Sequence, residues 1–81
     1  MYTIVNEPIS VGAIFSSGKI TPRFFIWDRK KYQVEKVTYF WRSKTGNVPI
    51  LHFTVTNDES VYEISYNSGT ARWHLERVYA E

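Results

Sequence analysis

The chain has no cysteine, which excludes both disulfide bridges and thiolate metal ligands. No apolar run approaches the ~20 residues that a membrane-spanning helix needs. The opening residues, MYTIVNEPIS, also lack the basic start and long apolar stretch of a signal peptide. We therefore expect a cytoplasmic protein that does not associate with membranes and is stabilised without covalent cross-links.

Sequence motifs for catalysis are missing as well. There is no glycine-rich phosphate-binding loop, no nucleophile elbow and no metalloprotease motif. A chain of 81 residues builds a small core, and we expect no deep catalytic cleft in it. We predict neither an enzyme nor a cofactor-binding protein.

The chain is rich in the residues that build a compact β-domain. Hydrophobic residues make up 43% of it and aromatic residues 17%, enough for one densely packed core. β-branched and aromatic residues dominate, and turn signals recur at short spacing, so helices are not expected. Residues 1–81 are predicted to form a single small β-barrel domain.

The ten basic residues are concentrated in one half of the chain. Residues 1–44 carry eight lysines and arginines against three acidic residues, whereas residues 45–81 carry two against five. If the two halves form separate surfaces, one side of the protein is basic and attracts anions. The alternative is that lysine and arginine only keep the edge strands soluble.

Apolar residues alternating with a period of two predict six strands. They cover residues 8–15, 22–28, 31–42, 49–57, 60–67 and 70–78. Turns at residues 28–31, at Gly46, at Asp58-Glu59 and at Ser68-Gly69 align the strands so that their apolar residues share one face. The predicted pairs are Trp27 with Tyr32 and Phe25 with Val34; Val37 with Val55, Tyr39 with Phe53 and Trp41 with Leu51; Val55 with Tyr62, Phe53 with Ile64 and Leu51 with Tyr66; and Tyr62 with Leu75, Ile64 with Trp73 and Tyr66 with Ala71.

The alternation breaks within the predicted third strand, where Val34 and Val37 differ in parity. An extra residue near Glu35-Lys36, a β-bulge, would restore the inward direction. A bulged long third strand among short hairpins is typical of a small SH3-like, partly open antiparallel barrel of five to six strands. The register between the first two strands stays open, because residues 16–18 and Pro22 permit more than one pairing.

Several aromatic positions resemble a known family. The chain has Phe25-x-Trp27, Tyr32-x-Val34, Val37 and Trp41-Arg42, then Tyr62-Glu63-Ile64-x-Tyr66 and Trp73-x-Leu75-Glu76-Arg77-Val78-Tyr79. This pattern, over residues 8–79, resembles a family of short bacterial proteins known only as a domain of unknown function. Some members are encoded beside genes for error-prone DNA polymerases, so the resemblance implies a shared fold and a role in DNA damage tolerance. Arg29 stands where the family tends to have glycine, which favours a turn without positive φ at this position.

Two histidines and a glutamate share the face opposite the predicted core. The register sets Glu63 opposite His74, with His52 on the diagonal at about 7 to 8 Å. Two imidazoles and a carboxylate can ligate zinc or ferrous iron. The same residues also suit weak electrostatic pairing on a solvated face, and no fourth ligand is evident. His52, Glu63 and His74 are thus weak candidates, and no metal site is predicted.

A second group of residues favours binding of a partner, and it includes Phe40 on the same face opposite the predicted core. The candidates are Phe40, Arg42, Lys44, Arg72, Arg23 and Lys36. An aromatic ring can stack on a base, and basic groups can neutralise phosphates, which favours single- or double-stranded nucleic acid. Alternatively, Phe40 and Ile50 are covered by residues 2–5, by a protein partner or by a second copy in a homodimer. The sequence predicts a small bacterial binding module, nucleic-acid-associated in a DNA damage tolerance context; the alternative is a protein-interaction or self-associating module that binds no nucleic acid.

Overall fold

The computed structural model describes residues 1–79, and the acidic Glu81 counted above lies outside them. These residues form seven strands and no helix, which confirms the predicted all-β class. The strands are β1 (Tyr2–Ser16), β2 (Lys19–Trp27), β3 (Lys30–Gln33), β4 (Lys36–Thr45), β5 (Val48–Thr56), β6 (Val61–Asn67) and β7 (Arg72–Tyr79). No helix in the described range is long and apolar enough to cross a membrane.

All seven strands belong to one open antiparallel sheet, in the order β3-β2-β1-β7-β6-β5-β4. Neighbouring strands are spaced by about 4.8 Å, so β2 and β6 would be about 14 Å apart in a flat sheet. The ring centroids of Phe25 on β2 and Tyr62 on β6 are nevertheless 5.1 Å apart. The sheet is therefore strongly curved, and its concave face holds the core.

The predicted third strand, residues 31–42, is wrong, because the structure divides it into β3 and β4. The N–H of Val34 donates to the carbonyl of Arg23 on β2 at 2.9 Å, whereas the N–H of Glu35 donates to the carbonyl of Thr56 on β5 at 2.8 Å. The backbone thus changes partner between consecutive residues, crossing from one edge of the sheet to the other where a bulge was expected. This crossing makes the number of strands seven, not five to six.

The pairing of β5 with β6 is as predicted: Val55 with Tyr62, Phe53 with Ile64 and Leu51 with Tyr66. In the next hairpin, Ile64 lies opposite Leu75 instead of Trp73. The turn is longer than expected, because the Asn67 side chain accepts backbone hydrogen bonds at 2.9 and 3.1 Å from Gly69 and Thr70. A shift of two residues preserves the side-chain face, so Trp73 and Leu75 are still buried.

The β2–β3 hairpin is also shifted by two residues and keeps its predicted face. Phe25 lies opposite Tyr32 instead of Val34. The two turn residues, Asp28-Arg29, have φ values of 53° and 66°, as a type I′ turn requires. The expectation that Arg29 would avoid positive φ is therefore wrong.

The β4–β5 hairpin is shifted by one residue, which exchanges the two faces of β4. The observed pairs are Arg42 with Leu51 and Phe40 with Phe53, in place of the predicted Trp41 with Leu51 and Tyr39 with Phe53. An extra residue between Val37 and Tyr39 cancels the shift, so Val37 lies opposite Val55 as predicted. As a result, Phe40 lies on the concave side of β4 and Trp41 on the convex side.

The buried core comes from β2, β5, β6 and β7. Its apolar members are Phe25, Phe53, Val55, Tyr62, Ile64, Trp73 and Leu75. Strand β4 contributes no buried residue, since all ten of its residues are exposed. The core is thus complete without β4, which leaves the side chains of this strand accessible for other contacts.

Replacing Trp73 with alanine tests the core. Trp73 is 8% exposed, and its ring lies 4.8 Å from that of Tyr66 and 5.6 Å from that of Phe53. Trp73→Ala should lower the free energy of unfolding by about 3 to 5 kcal/mol in urea titrations, because it leaves a cavity. Trp41→Ala is the matched control and should cost much less, since Trp41 is 38% exposed. Equal losses in the two variants would contradict the assignment of the core.

A second test concerns two neighbouring carboxyl groups. Hydrogen bonding to Asp58, together with the negative charge of Asp58, raises the pKa of the Glu35 carboxyl above its ordinary value. The folded state therefore holds this proton more tightly than the unfolded chain, and the stability that the proton contributes is present at low pH and lost as pH rises through the raised pKa. Glu35→Gln should raise the melting temperature relative to wild type near pH 7, and by less at about pH 3, where carboxyl groups are protonated.

The partner residue supplies the control for this pair. Asp58→Asn should give the same pH-dependent gain, and the double variant should gain no more than either single variant, because the two changes relieve one interaction. A difference in melting temperature between Glu35→Gln and wild type that is the same at both pH values would contradict this account of the pair.

Candidate ligand-binding cleft

A cleft of about 620 Å³ separates β4 from the start of β2. Residues 18–21 form one wall, residues 35–40 with Arg42 form the opposite wall, and Leu51 and Phe53 of β5 form the floor. Ligand pockets in proteins typically have volumes of about 300 to 1,000 Å³. The space between β4 and β2 is therefore large enough for a ligand.

The floor of the cleft is apolar. Phe53 is 2% exposed, and its ring centroid lies 5.2 Å from that of Phe40, which remains 48% exposed. The prediction that Phe40 lies opposite the core is wrong, because the β4–β5 hairpin is shifted by one residue. Together with Leu51 and Ile20, Phe40 instead gives the cleft an accessible apolar surface.

The rim of the cleft is basic. Lys19, Lys36 and Arg42 line it, against a single carboxylate, Glu35. The guanidinium of Arg42 lies 5.9 Å from the ring centroid of Phe40, within the range of a cation–π interaction. An apolar floor below a positively charged rim suits a ligand that combines apolar groups with negative charge.

The structure brings together half of the predicted binding residues. Those that line the cleft are Lys36, Phe40 and Arg42. The others lie elsewhere: Lys44 opposite Pro49 beyond the cleft, Arg23 on β2, and Arg72 on β7, three positions from β4 in the sheet. The six predicted binding residues therefore do not form a single site.

Sequence reasoning missed the wall formed by Lys19 and Ile20. The sequence signal for this wall is the turn at residues 16–18 followed by alternating residues. The register of the hairpin between β1 and β2 could not be chosen from the sequence. In the structure, Arg23 is an extra residue on β2, which shifts the register between Gly12 and Ala13 of β1. This irregularity sets which side chains of β2 point toward β4.

Strand β4 forms one edge of the sheet. It pairs with β5 on one side, and none of residues 1–79 pairs with its other side. All ten residues are exposed, Tyr39 at 71%, whereas the opposite edge strand, β3, has four residues. A long exposed edge strand presents unpaired N–H and C=O groups to which another chain can bind.

On the convex face, the side chain of Trp41 on β4 packs against that of His52 on β5. Their rings are nearly parallel, with 3° between the planes and 5.0 Å between the centroids. Ser43 Oγ lies 2.7 Å from His52 Nε2, and His52 Nδ1 is buried without a hydrogen-bond partner in the described part of the chain. These contacts hold β4 in place from the side opposite the cleft.

The structure does not bring the weak metal candidates together. His74 lies opposite Ser65 because the hairpin is shifted by two residues, and Glu63 lies opposite Arg77 because the register shifts once more between Glu63 and Ile64. Residues 1–79 contain no group of three or more histidine, cysteine, aspartate or glutamate side chains placed to hold a metal ion. His52, Glu63 and His74 therefore do not form the triad that the predicted register suggested.

Comparison with known proteins adds no family to this description. The chain matches no family model, no curated protein and no solved structure. The resemblance in the spacing of the aromatic residues stays a prediction.

Proposed function

We propose that this protein is a small binding module without catalytic activity, and that it holds an extended, negatively charged ligand in the cleft beside β4. One observation carries the proposal: an apolar floor and a basic rim of Lys19, Lys36 and Arg42 lie next to an unpaired strand edge. Charge attracts an anion to the cleft, the apolar floor stabilises it there, and the long edge of β4 favours an elongated ligand.

Single-stranded nucleic acid is one ligand of this kind. Its phosphates would lie against the basic rim, and a base would stack on Phe40 or on Tyr39, which is 71% exposed. A role in DNA damage tolerance in the bacterial cytoplasm accords with such a ligand, and the spacing of the aromatic residues implies that context by resemblance. Double-stranded nucleic acid would be held through its phosphates alone.

A protein is the second candidate, and the unpaired edge of β4 favours it. Of three adjacent aromatic residues on β4, Phe40 packs on Phe53 and Trp41 packs on His52, which leaves Tyr39 as the most exposed ring. The partner on this edge would be another protein or a second copy of this chain in a homodimer.

The proposal includes the architecture: the curved sheet would be an SH3-like, partly open barrel. It is supported by the curvature of the sheet and by the hydrogen bonds of Val34 and Glu35, which reach β2 and β5 from consecutive residues. In a barrel of this kind, the cleft would be the opening between the strands that do not pair.

The nucleic-acid ligand can be tested with a fluorescent oligothymidine of about 15 nucleotides, a length that fits known single-strand binding sites. Log affinity should fall with log salt by about 0.7 per phosphate contacted. Lys36→Ala or Arg42→Ala should flatten this slope, because each removes a phosphate contact. Phe40→Ala should weaken binding by about 1 to 3 kcal/mol and leave the slope unchanged, because it removes stacking.

Lys30→Ala on β3 is the control, since it removes the same charge outside the cleft. An effect as large as that of Lys36→Ala would show that net charge, not the cleft, binds the oligonucleotide. If neither the single strand nor a duplex of the same length binds at low salt and micromolar protein, nucleic acid is excluded as the ligand.

A further inference from the structure

The unpaired edge of β4 and the cleft lie side by side. The cleft is bounded by β4 on one side and by residues 19–21 of β2 on the other. An extended chain placed in this space would run along β4, within reach of the N–H and C=O groups that point away from β5. The same position provides backbone hydrogen bonding and an apolar surface.

We infer that the ligand of the cleft is an extended segment of a partner protein, which carries apolar and acidic residues on the face toward the cleft and adds to the sheet beside β4 as an eighth strand. The inference rests on the proposed function and names the class of the ligand. In strand addition, main-chain hydrogen bonds supply affinity, and pockets for alternate side chains supply specificity.

The apolar half of the pattern follows from the concave face of β4. Successive side chains of a strand point to opposite faces, so every second residue of the added strand would point toward the core. On that side it would meet Phe40, which is 48% exposed, and Leu51 and Ile20 beyond it. An apolar residue beside Phe40 would cover a surface that the chain itself leaves open.

The acidic half of the pattern follows from the charges on β4. The strand carries Lys36, Arg42 and Lys44 and no acidic residue, and Lys19 lies across the cleft. Opposite charges on neighbouring strands stabilise a pair, and like charges destabilise it. Arg42 and Lys44 lie on the same face of β4 as Phe40, so acidic residues beside them would lie on the same face of the added strand as the apolar residue beside Phe40.

A second copy of this chain fits the edge less well. Pairing β4 with β4 of another copy would bring six basic side chains together on two strands that carry no acidic residue. The other edge strand, β3, is four residues long and carries Lys30 and Lys31, so pairing β4 with β3 would also oppose positive charges. The basic edge thus selects a partner of different composition.

Strand addition also uses groups that a nucleic acid would leave unpaired. A base stacked on Phe40 would leave the donors and acceptors along the edge of β4 unpaired, whereas a peptide backbone would satisfy them. For this reason we favour a peptide over a nucleic acid as the ligand of the cleft.

The experiment is a selection of random ten-residue peptides on the immobilised protein, followed by synthesis of the enriched sequences. We expect an apolar residue in them with acidic residues two and four positions away on one side, because Arg42 and Lys44 follow Phe40 at this spacing on one face of β4. Bound to the intact protein, such a peptide should slow hydrogen exchange of β4 backbone amides at least tenfold, because the added strand would pair with them, and should leave β3 unchanged.

Charge reversal provides the matched comparison. Lys36→Glu with Arg42→Glu should weaken binding of the selected peptides at least tenfold, whereas Lys30→Glu with Lys31→Glu on β3 should leave it within about twofold, apart from a general charge effect that salt screens. All four residues are exposed, and thermal melting of each variant establishes that it folds.

The outcomes separate this inference from the proposed function. Absence of enriched peptides, enrichment without acidic residues, or protection of strands other than β4 would each overturn strand addition. If oligothymidine alone contacts the cleft, the ligand is a nucleic acid, and the proposed function stands without this inference. If the selected peptides and oligothymidine both bind outside the cleft, the proposed function fails as well.

Discussion

Contact between aromatic rings from distant strands is the interaction on which this structure depends. Phe25 of β2 stacks on Tyr32 of β3 at 5.0 Å, and both rings meet Tyr62 of β6, at 5.1 and 5.6 Å. Three positions separate β2 from β6 in the sheet, so these contacts form only if the sheet curves. The curvature in turn creates the concave face, encloses the core, and brings β2 and β4 to the two sides of the cleft.

The crossing between β3 and β4 has consequences for function. Two consecutive residues, Val34 and Glu35, hydrogen-bond to β2 and to β5, so the chain passes between the two edges without a loop. The strand that follows pairs on one side only within residues 1–79 and contributes nothing to the buried core. An edge strand without a role in the core can interact with a ligand without loss of stability, and its lysines and arginine limit non-specific pairing.

The register between β5 and β6 was predicted without error. In the turn between these strands, the Asn57 side chain accepts backbone hydrogen bonds at 2.8 and 3.0 Å from Glu59 and Ser60. The turn alone did not decide the register, since Asn67 makes the same kind of hydrogen bonds in the β6–β7 hairpin. Errors of two residues in other hairpins left every face unchanged, because side chains alternate with a period of two. An error of one residue between β4 and β5 moved Phe40 from the convex to the concave face.

The sequence by itself determined the all-β class and most of the core, because alternation of apolar and polar residues is a local property that sets the face of each strand. It also marked Lys36, Phe40 and Arg42 as binding candidates. Only the tertiary structure decided that β4 is an edge strand and that Lys19 and Ile20 face it across a cleft. Those facts depend on the irregularities in register and on sheet curvature, which arise from packing between residues far apart in the chain.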